Sequence, residues 1–292
     1  MKFIAIFILY ILSAACVLKN DAVSYQSAVI FGENDLKETT HLTGPFKKNS
    51  SAVAAMVNKR SIGIGNQGFE FLPDKKARKF CDGSDDGHAE CTGFLVAPQL
   101  LLTAGHCYQS DKLNPVEECR KFSWVFDYQN NSLISTENLY HCRKVLALET
   151  SENGPDYALI ELDRKVTNRA PVELDFAHKL QFRQEVYLIG HALGRPLTYS
   201  GIGQVYTINE EYQFQTMLDG FSGNSGAPVF DLKTHKVIGI HVAGEGKELT
   251  FNQAQGCYEL NHCIESVLSP CAFSVELKLF SLEKIQEFLP HF

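Results

Sequence analysis

Three short stretches carry side chains that can do covalent chemistry together. Gly223-Asn224-Ser225-Gly226-Ala227-Pro228 offers a serine in a glycine-flanked turn. Thr103-Ala104-Gly105-His106-Cys107 offers a histidine, and Pro155-Asp156-Tyr157-Ala158-Leu159-Ile160 a carboxylate at the edge of an apolar run. A serine hydroxyl is a weak nucleophile until a base takes its proton. A histidine can take it, and a buried carboxylate can hold that histidine in the right tautomer. Each stretch alone has a plain structural reading: a hairpin turn, a packed histidine, a strand edge. Glu152 and Asp163 compete with Asp156, but Glu152 sits in a polar loop and Asp163 ends a strand.

The chain order His, Asp, Ser separates this trio from its two other common arrangements. On these residues the chain resembles the trypsin/chymotrypsin superfamily of serine endopeptidases. Val29-Ile30-Phe31-Gly32-Glu33-Asn34-Asp35 and Gly190-His191-Ala192-Leu193-Gly194-Arg195-Pro196 resemble its glutamyl endopeptidase branch, which is mostly bacterial. The resemblance implies His106 as the base, Asp156 as its orienting carboxylate and Ser225 as the nucleophile. It implies an oxyanion hole formed by the main-chain amides of Gly223 and Ser225. Cys91 and Cys107, sixteen residues apart, have the spacing of the disulfide that braces the histidine loop throughout the superfamily. Many mammalian relatives carry an aspartate at the position of Asn224, and it pairs with an amino terminus freed by activation. Asn224 cannot form that ion pair. His191 is read as structural.

The expected residue preference at the cleavage site is Arg or Lys, with glutamate as the alternative. Substrate-binding residues are expected in the stretch before Ser225 and in the strand from Ile240 to Gly244: Asp219, Gly220, His241 and Gly244. Asp219, six residues before Ser225, matches the aspartate with which trypsin attracts Arg or Lys. His241 matches the histidine with which glutamyl endopeptidases receive glutamate, but their accompanying threonine is replaced by Gly220. A pairing of Asp219 with His241, giving a mixed preference, is the third possibility. Gly220 and Gly244 predict a roomy pocket.

Short runs rich in aromatic and β-branched residues must position these groups. They include Phe122–Tyr128, Lys144–Leu148, Tyr157–Leu162, Glu185–Gly190, Gly203–Ile208 and Val237–Val242. Gly, Asn, Asp and Pro separate them, the pattern of a barrel or sandwich. Only the C-terminus looks helical, with Ser281 as cap and Leu282, Ile285, Phe288 and Leu289 on one face. The resemblance sharpens this to an all-β fold of two packed antiparallel six-stranded barrels with a short C-terminal helix and the active site between them. The expected organisation is a signal peptide over 1–15, a leader remnant over 16–28, an N-terminal barrel over 29–165 and a C-terminal barrel with the helix over 166–292.

Composition bounds the rest. The 292 residues are 45% hydrophobic with a net charge of −7, which argues against a general nucleic-acid binder. Lys2, the apolar run Phe3–Leu12 and the small residues Ser13 and Ala15 form an export signal, too short for a comfortable membrane span. Of nine cysteines, eight follow the leader, an even number that predicts up to four disulfides in an exported chain. Cys119 and Cys142 are the second expected pair, because they bracket two strands that can pair. Asp82-Gly83-Ser84-Asp85-Asp86-Gly87 opens like a calcium loop but has Gly93 where an acidic ligand belongs. Cys257, His262, Cys263 and Cys271 are zinc ligands by type, yet disulfides fit an exported chain better. Asn49 and Asn130 fit the glycosylation pattern. No metal or cofactor is expected. The partners expected are protein or peptide substrates of a monomer that is secreted or, in a Gram-negative bacterium, periplasmic.

Overall fold

Apolar runs that cannot leave a face in water pair into sheets, and closure removes the unpaired edges. The computed structural model describes residues 30–65, 68–109, 114–129, 133–151, 154–208, 210–244, 248–263 and 273–289. The first closed barrel consists of β1 (Val53–Asn58), β2 (Ala89–Ala97), β3 (Leu100–Thr103), β4 (Phe122–Phe126), β5 (Leu139–Thr150) and β6 (Asp156–Leu162). Around it the strands run β5-β6-β3-β2-β1-β4. The second consists of β7 (Glu185–Gly190), β8 (Thr198–Thr207), β9 (Gln213–Thr216), β10 (Pro228–Asp231), β11 (Val237–Gly244) and β12 (Ser274–Lys278). Its order is β7-β10-β11-β12-β9-β8, closed by the β7–β8 pairing. Counted from its own first strand, each barrel has the same cyclic order, so one topology occurs twice without a visible sequence repeat. All pairings within both barrels are antiparallel.

One hydrophobic core runs through both barrels, joining Phe94, Trp124 and Leu159 of the first to Tyr187, Phe230 and Ile240 of the second. Trp124 is fully buried and donates its indole N–H to Tyr108 Oη at 3.1 Å, so its polar edge is satisfied. The chain ends cross between barrels. Residues Lys37–Glu38 pair with β8, and Phe46 packs on Tyr187 and Tyr199 of the second barrel. At the other end Lys284 pairs with Glu149 on β5 of the first barrel.

Among the described residues three short helices are present where one was expected. Gly44–Ser50 forms α1, Pro115–Lys121 forms α2 and Glu283–Gln286 forms α3. The start of α2 is a capping box: Asn114 accepts from the Val116 and Glu117 amides, and Glu117 reaches back to the Asn114 N–H. That signal is legible in Asn114-Pro115-Val116-Glu117 but is too short to stand out by periodicity. At the C-terminus Ser281 does not cap the helix; its hydroxyl bonds the Lys278 carbonyl at 2.6 Å, and Phe288 is exposed while Leu282, Ile285 and Leu289 are buried.

Three disulfides join Cys91 to Cys107, Cys119 to Cys142 and Cys81 to Cys257; Cys263 is also disulfide-bonded. Cys81–Cys257 ties the loop before β2 to a hairpin, Leu249–Asn252 with Cys257–Leu260, that belongs to the second half of the chain. The zinc reading therefore loses Cys257 and Cys263, since sulfurs bonded in disulfides are not thiolate ligands. The carboxylates of the calcium-like loop face cations: Asp86 pairs with Arg78, Asp85 with Lys79, and Asp82 lies 3.8 Å from Arg195. Asn49 is buried, its amide held by Tyr187 Oη and the His235 carbonyl, so it presents no acceptor for a glycan. Asn130 and the segment 1–29 lie outside the described residues. Among the described residues no helix is long and apolar enough to cross a membrane.

Candidate active site

Strand register brings the histidine and the aspartate together. β3 and β6 pair with Thr103 opposite Ala158. His106 follows Thr103 by three residues, in a 3-10 turn over Gly105–Tyr108, and Asp156 precedes Ala158 by two. Asp156 grips His106 at two points. Its Oδ2 lies 2.6 Å from Nδ1 of the ring, and its Oδ1 accepts the His106 main-chain N–H at 2.8 Å. The carboxylate is shielded, with 14% of its side chain exposed, while the imidazole is 43% exposed. That difference leaves Nε2 as the ring atom free to work on a bound molecule.

Ser225 comes from the other barrel, in the turn that leads into β10. Two threonines of the first barrel hold that turn. The Thr92 amide donates to the Ser225 carbonyl at 2.8 Å, and the Thr92 hydroxyl donates to the Gly223 carbonyl at 2.7 Å. Thr103 Oγ1 in turn donates to the Thr92 carbonyl at 2.6 Å. The Cys91–Cys107 disulfide completes the junction. A ring nitrogen of His106 and both sulfurs lie within 4.8 Å of one another, and Cys107 Sγ is 3.8 Å from the Ser225 carbonyl oxygen. His106 of the first barrel and the Ser225 main chain of the second thus lie against the same disulfide.

The turn before Ser225 leaves two main-chain donors open among the described residues. Gly223 has φ +91°, a conformation that favours glycine. The Ser222 carbonyl accepts the Leu193 N–H at 2.6 Å. In a trans peptide the N–H points opposite to the C=O, so the Gly223 N–H is directed away from Leu193. Among the described residues neither the Gly223 nor the Ser225 amide has an acceptor. Two unpaired donors beside a serine can stabilise a developing negative charge. Asn224 is fully buried against Gly190, and among the described residues neither end of its amide has a partner.

The expected substrate-binding residues divide. Gly220, His241 and Gly244 come together around Ser274: Gly244 pairs with Ser274 across β11 and β12, and a Cβ at Gly220 would stand 2.9 Å from Ser274 Oγ. The same Cβ would stand 2.8 Å from His241 Cε1, so the imidazole fills the room the glycine leaves. The carboxyl of Asp219 turns elsewhere. Its Oδ1 accepts the Phe31 N–H at 2.8 Å, and Asp35 is its acidic neighbour, interacting with it through both side chain and main chain. Burial, reinforced by the Asp35 charge, pushes the Asp219 pKa up to about 8. At neutral pH the group is mostly uncharged.

His241 pairs not with Asp219 but with Glu276, a residue absent from the sequence reading. Nδ1 of His241 lies 3.2 Å from Glu276 Oε2, and Thr216 Oγ1 donates to Oε1 at 2.9 Å. Glu276 is completely buried in β12, between Val275 and Leu277. An acidic residue inside a buried strand was the available signal, because a buried carboxylate requires partners. His191 stacks on Tyr128 and donates from Nδ1 to the Arg195 carbonyl at 2.9 Å. Burial lowers its pKa to about 4, so it stays neutral as a structural histidine would.

A double antiparallel barrel with a histidine–carboxylate pair on one barrel and a glycine-flanked serine on the other is the chymotrypsin-like class of fold. The trypsin-like peptidase domain family matches residues 91–240, and the chain belongs to that family. A solved structure of a Glu endopeptidase in complex with MPD is 16% identical with a TM-score of 0.54, covering 89% of this chain and 98% of that one. The structure of the Vibrio cholerae VesB protease is 13% identical with a TM-score of 0.49, covering 88% of this chain and 66% of that one. At these identities the first likeness is one of fold. No curated protein matches the chain.

Proposed function

We propose that the chain is a secreted serine endopeptidase. Ser225 attacks the peptide carbonyl while His106 Nε2 takes its proton. The imidazolium that forms is held by Asp156, and it returns the proton to the leaving amine. Water then repeats the sequence on the acyl-enzyme and releases the acid. The Gly223 and Ser225 amides stabilise the oxyanion at each stage. No cofactor enters this scheme. The observation that carries the reading is the two-point grip of Asp156 on His106, which leaves Nε2 exposed.

The position of Asp219 moves the proposed preference away from Arg and Lys. A largely protonated carboxyl that faces Phe31 is a poor magnet for a cation. His241, with Gly220 and Ser274 at its open edge, supports cleavage after residues that carry acceptor atoms, glutamate foremost. Maturation is proposed near Val29, after the signal over 1–15 and the leader over 16–28. Ile30 and Phe31 support this, because they are buried and pair in parallel with His262 and Cys263.

A fluorophosphonate probe tests the nucleophile. It should label the wild-type protein and leave Ser225→Ala unlabelled, with peptide hydrolysis lost in parallel. Equal labelling of both overturns the assignment. A folded wild type that neither labels nor hydrolyses any member of a peptide library would instead establish a second reading, a catalytically weak or inactive binding module on a protease fold.

A further inference from the structure

Gly223 creates a problem that its neighbours must solve. Without a Cβ, the Ser222–Gly223 peptide can take either of two opposed orientations at comparable cost. One aims the Gly223 N–H at the substrate side; the other aims the Ser222 carbonyl there, where it repels an oxyanion. The choice must come from contacts to Ser222. One contact is Leu193, whose N–H holds the Ser222 carbonyl at 2.6 Å. Leu193 has φ +58°, an uncommon conformation for a leucine, and its own carbonyl is tied to the Gly87 N–H at 3.0 Å.

The second contact is Glu248. It is 7% exposed, and its Oε1 accepts both the Ser222 hydroxyl at 2.9 Å and the Ser222 N–H at 3.3 Å. Its main-chain carbonyl accepts the Asn261 N–H at 3.0 Å, which anchors it to the hairpin fastened by Cys81–Cys257. Arg78 is a positive charge that acts on it and is itself engaged by Asp86. Ser222 is therefore held from two sides: its carbonyl by Leu193 and its N–H and hydroxyl by Glu248.

We propose that Glu248 is a positioning residue that locks the Ser222–Gly223 peptide in the orientation presenting the Gly223 amide to the oxyanion. This rests on the reading of Ser225 as the nucleophile. Glu248 does not touch the substrate; it acts through Ser222. Its removal frees the turn to sample the orientation that opposes catalysis. The loss then falls on the transition state, where the oxyanion exists, rather than on ground-state binding.

The test compares wild type, Glu248→Ala, Glu248→Gln and Ser222→Ala, with Ser225→Ala as the control for the underlying reading. Measured are kcat and KM on one peptide substrate, inhibition by a peptidyl boronate that mimics the tetrahedral state, and Tm. Glu248→Ala should lower kcat by about 10- to 100-fold, less than the loss of an oxyanion donor itself, with KM changed less than about twofold. Boronate affinity should fall by the same factor as kcat/KM. Glu248→Gln keeps an acceptor oxygen and should recover most of the activity, and Ser222→Ala should fall between. Unchanged kcat in Glu248→Ala overturns the proposal. So does a loss shared by Glu248→Gln that tracks Tm and leaves boronate affinity relative to substrate unchanged, since that marks a purely structural residue. If Glu248→Ala does not fold, Ser222→Ala and Glu248→Gln decide: wild-type kcat in Ser222→Ala overturns the proposal. A wild type whose hydrolysis survives Ser225→Ala removes the underlying reading instead, and this proposal with it.

Discussion

Glu276 stands behind His241 as Asp156 stands behind His106: a shielded carboxylate against Nδ1, at 3.2 Å in one pair and 2.6 Å in the other. The far edge of the His241 ring lies against Gly220, five residues before Ser225. The second barrel thus carries a histidine oriented by a completely buried acid, beside Gly220 and Ser274.

That pairing predicts the cleavage profile. A peptide library should be cut after Glu in preference to Arg or Lys. His241→Leu should reduce cleavage after Glu by about 100-fold, the scale of one lost charge-assisted hydrogen bond of about 1.5–3 kcal/mol. Asp219→Asn should leave the profile unchanged. A profile dominated by Arg or Lys, and abolished by Asp219→Asn, would return the specificity to Asp219.

Asp219 should also make stability depend on pH. Its pKa is about 8 in the folded protein against an ordinary value of 3.8, so the folded chain holds a proton that the unfolded chain has released between these limits. Stability from this group is fully present below pH 4 and is lost progressively as pH rises towards 8. Asp219→Asn keeps an oxygen for the Phe31 N–H and removes the titration. Its denaturation midpoint should equal that of wild type near pH 4 and exceed it increasingly up to pH 8. A constant difference across that range would place the effect outside this carboxyl.

Restoring the threonine of the glutamyl endopeptidase branch should harm this protein. In Gly220→Thr the new Cβ would come within 2.8 Å of His241 Cε1 and 2.9 Å of Ser274 Oγ. Overpacking of this kind costs about 1–3 kcal/mol. Thermal unfolding should show the loss, and cleavage after Glu should fall with it. A stable variant with improved Glu cleavage would mean that His241 can swing aside.

The disulfides should differ in what they protect. Cys91–Cys107 closes a loop of sequence separation 16. Removing it should cost about 3 kcal/mol in the chain-entropy model and should also disturb His106. Cys81–Cys257 spans a separation of 176 and fastens the segments that flank Leu193 and Glu248. The double variant Cys81→Ser/Cys257→Ser should therefore lose kcat more than KM. Differential unfolding and steady-state kinetics on the two double variants separate these effects.

Much of the candidate site was legible in local sequence. The Thr-Ala-Gly-His-Cys and Gly-Asn-Ser-Gly islands are short because each is one turn, and a turn is specified by the few residues within it. Asp156 was legible because it begins an apolar strand, where a carboxylate has a reason to be shielded. Two barrels were expected from evenly spaced strand signals together with the family resemblance, and the cysteine spacing that goes with the histidine loop matched the bond found between Cys91 and Cys107.

What lay beyond the sequence is the choice of partner between distant segments. Period-two alternation says which face of a strand is buried, not which neighbour lies against it. Asp219 could equally have faced a pocket, His241 or Phe31; packing of the 30–31 strand beside it turned the carboxyl inward. Glu276 meets His241 because β11 and β12 pair in one register, and a slip of one residue would have sent it to the other face. Glu248 reaches Ser222 across 26 residues, and Cys81 reaches Cys257 across 176. The sequence by itself determined the reactive residue types, their order and the turns that display them. The tertiary structure decided which buried acid each histidine meets and which groups hold the serine turn, because contacts between residues far apart in the chain are set by strand register and barrel closure.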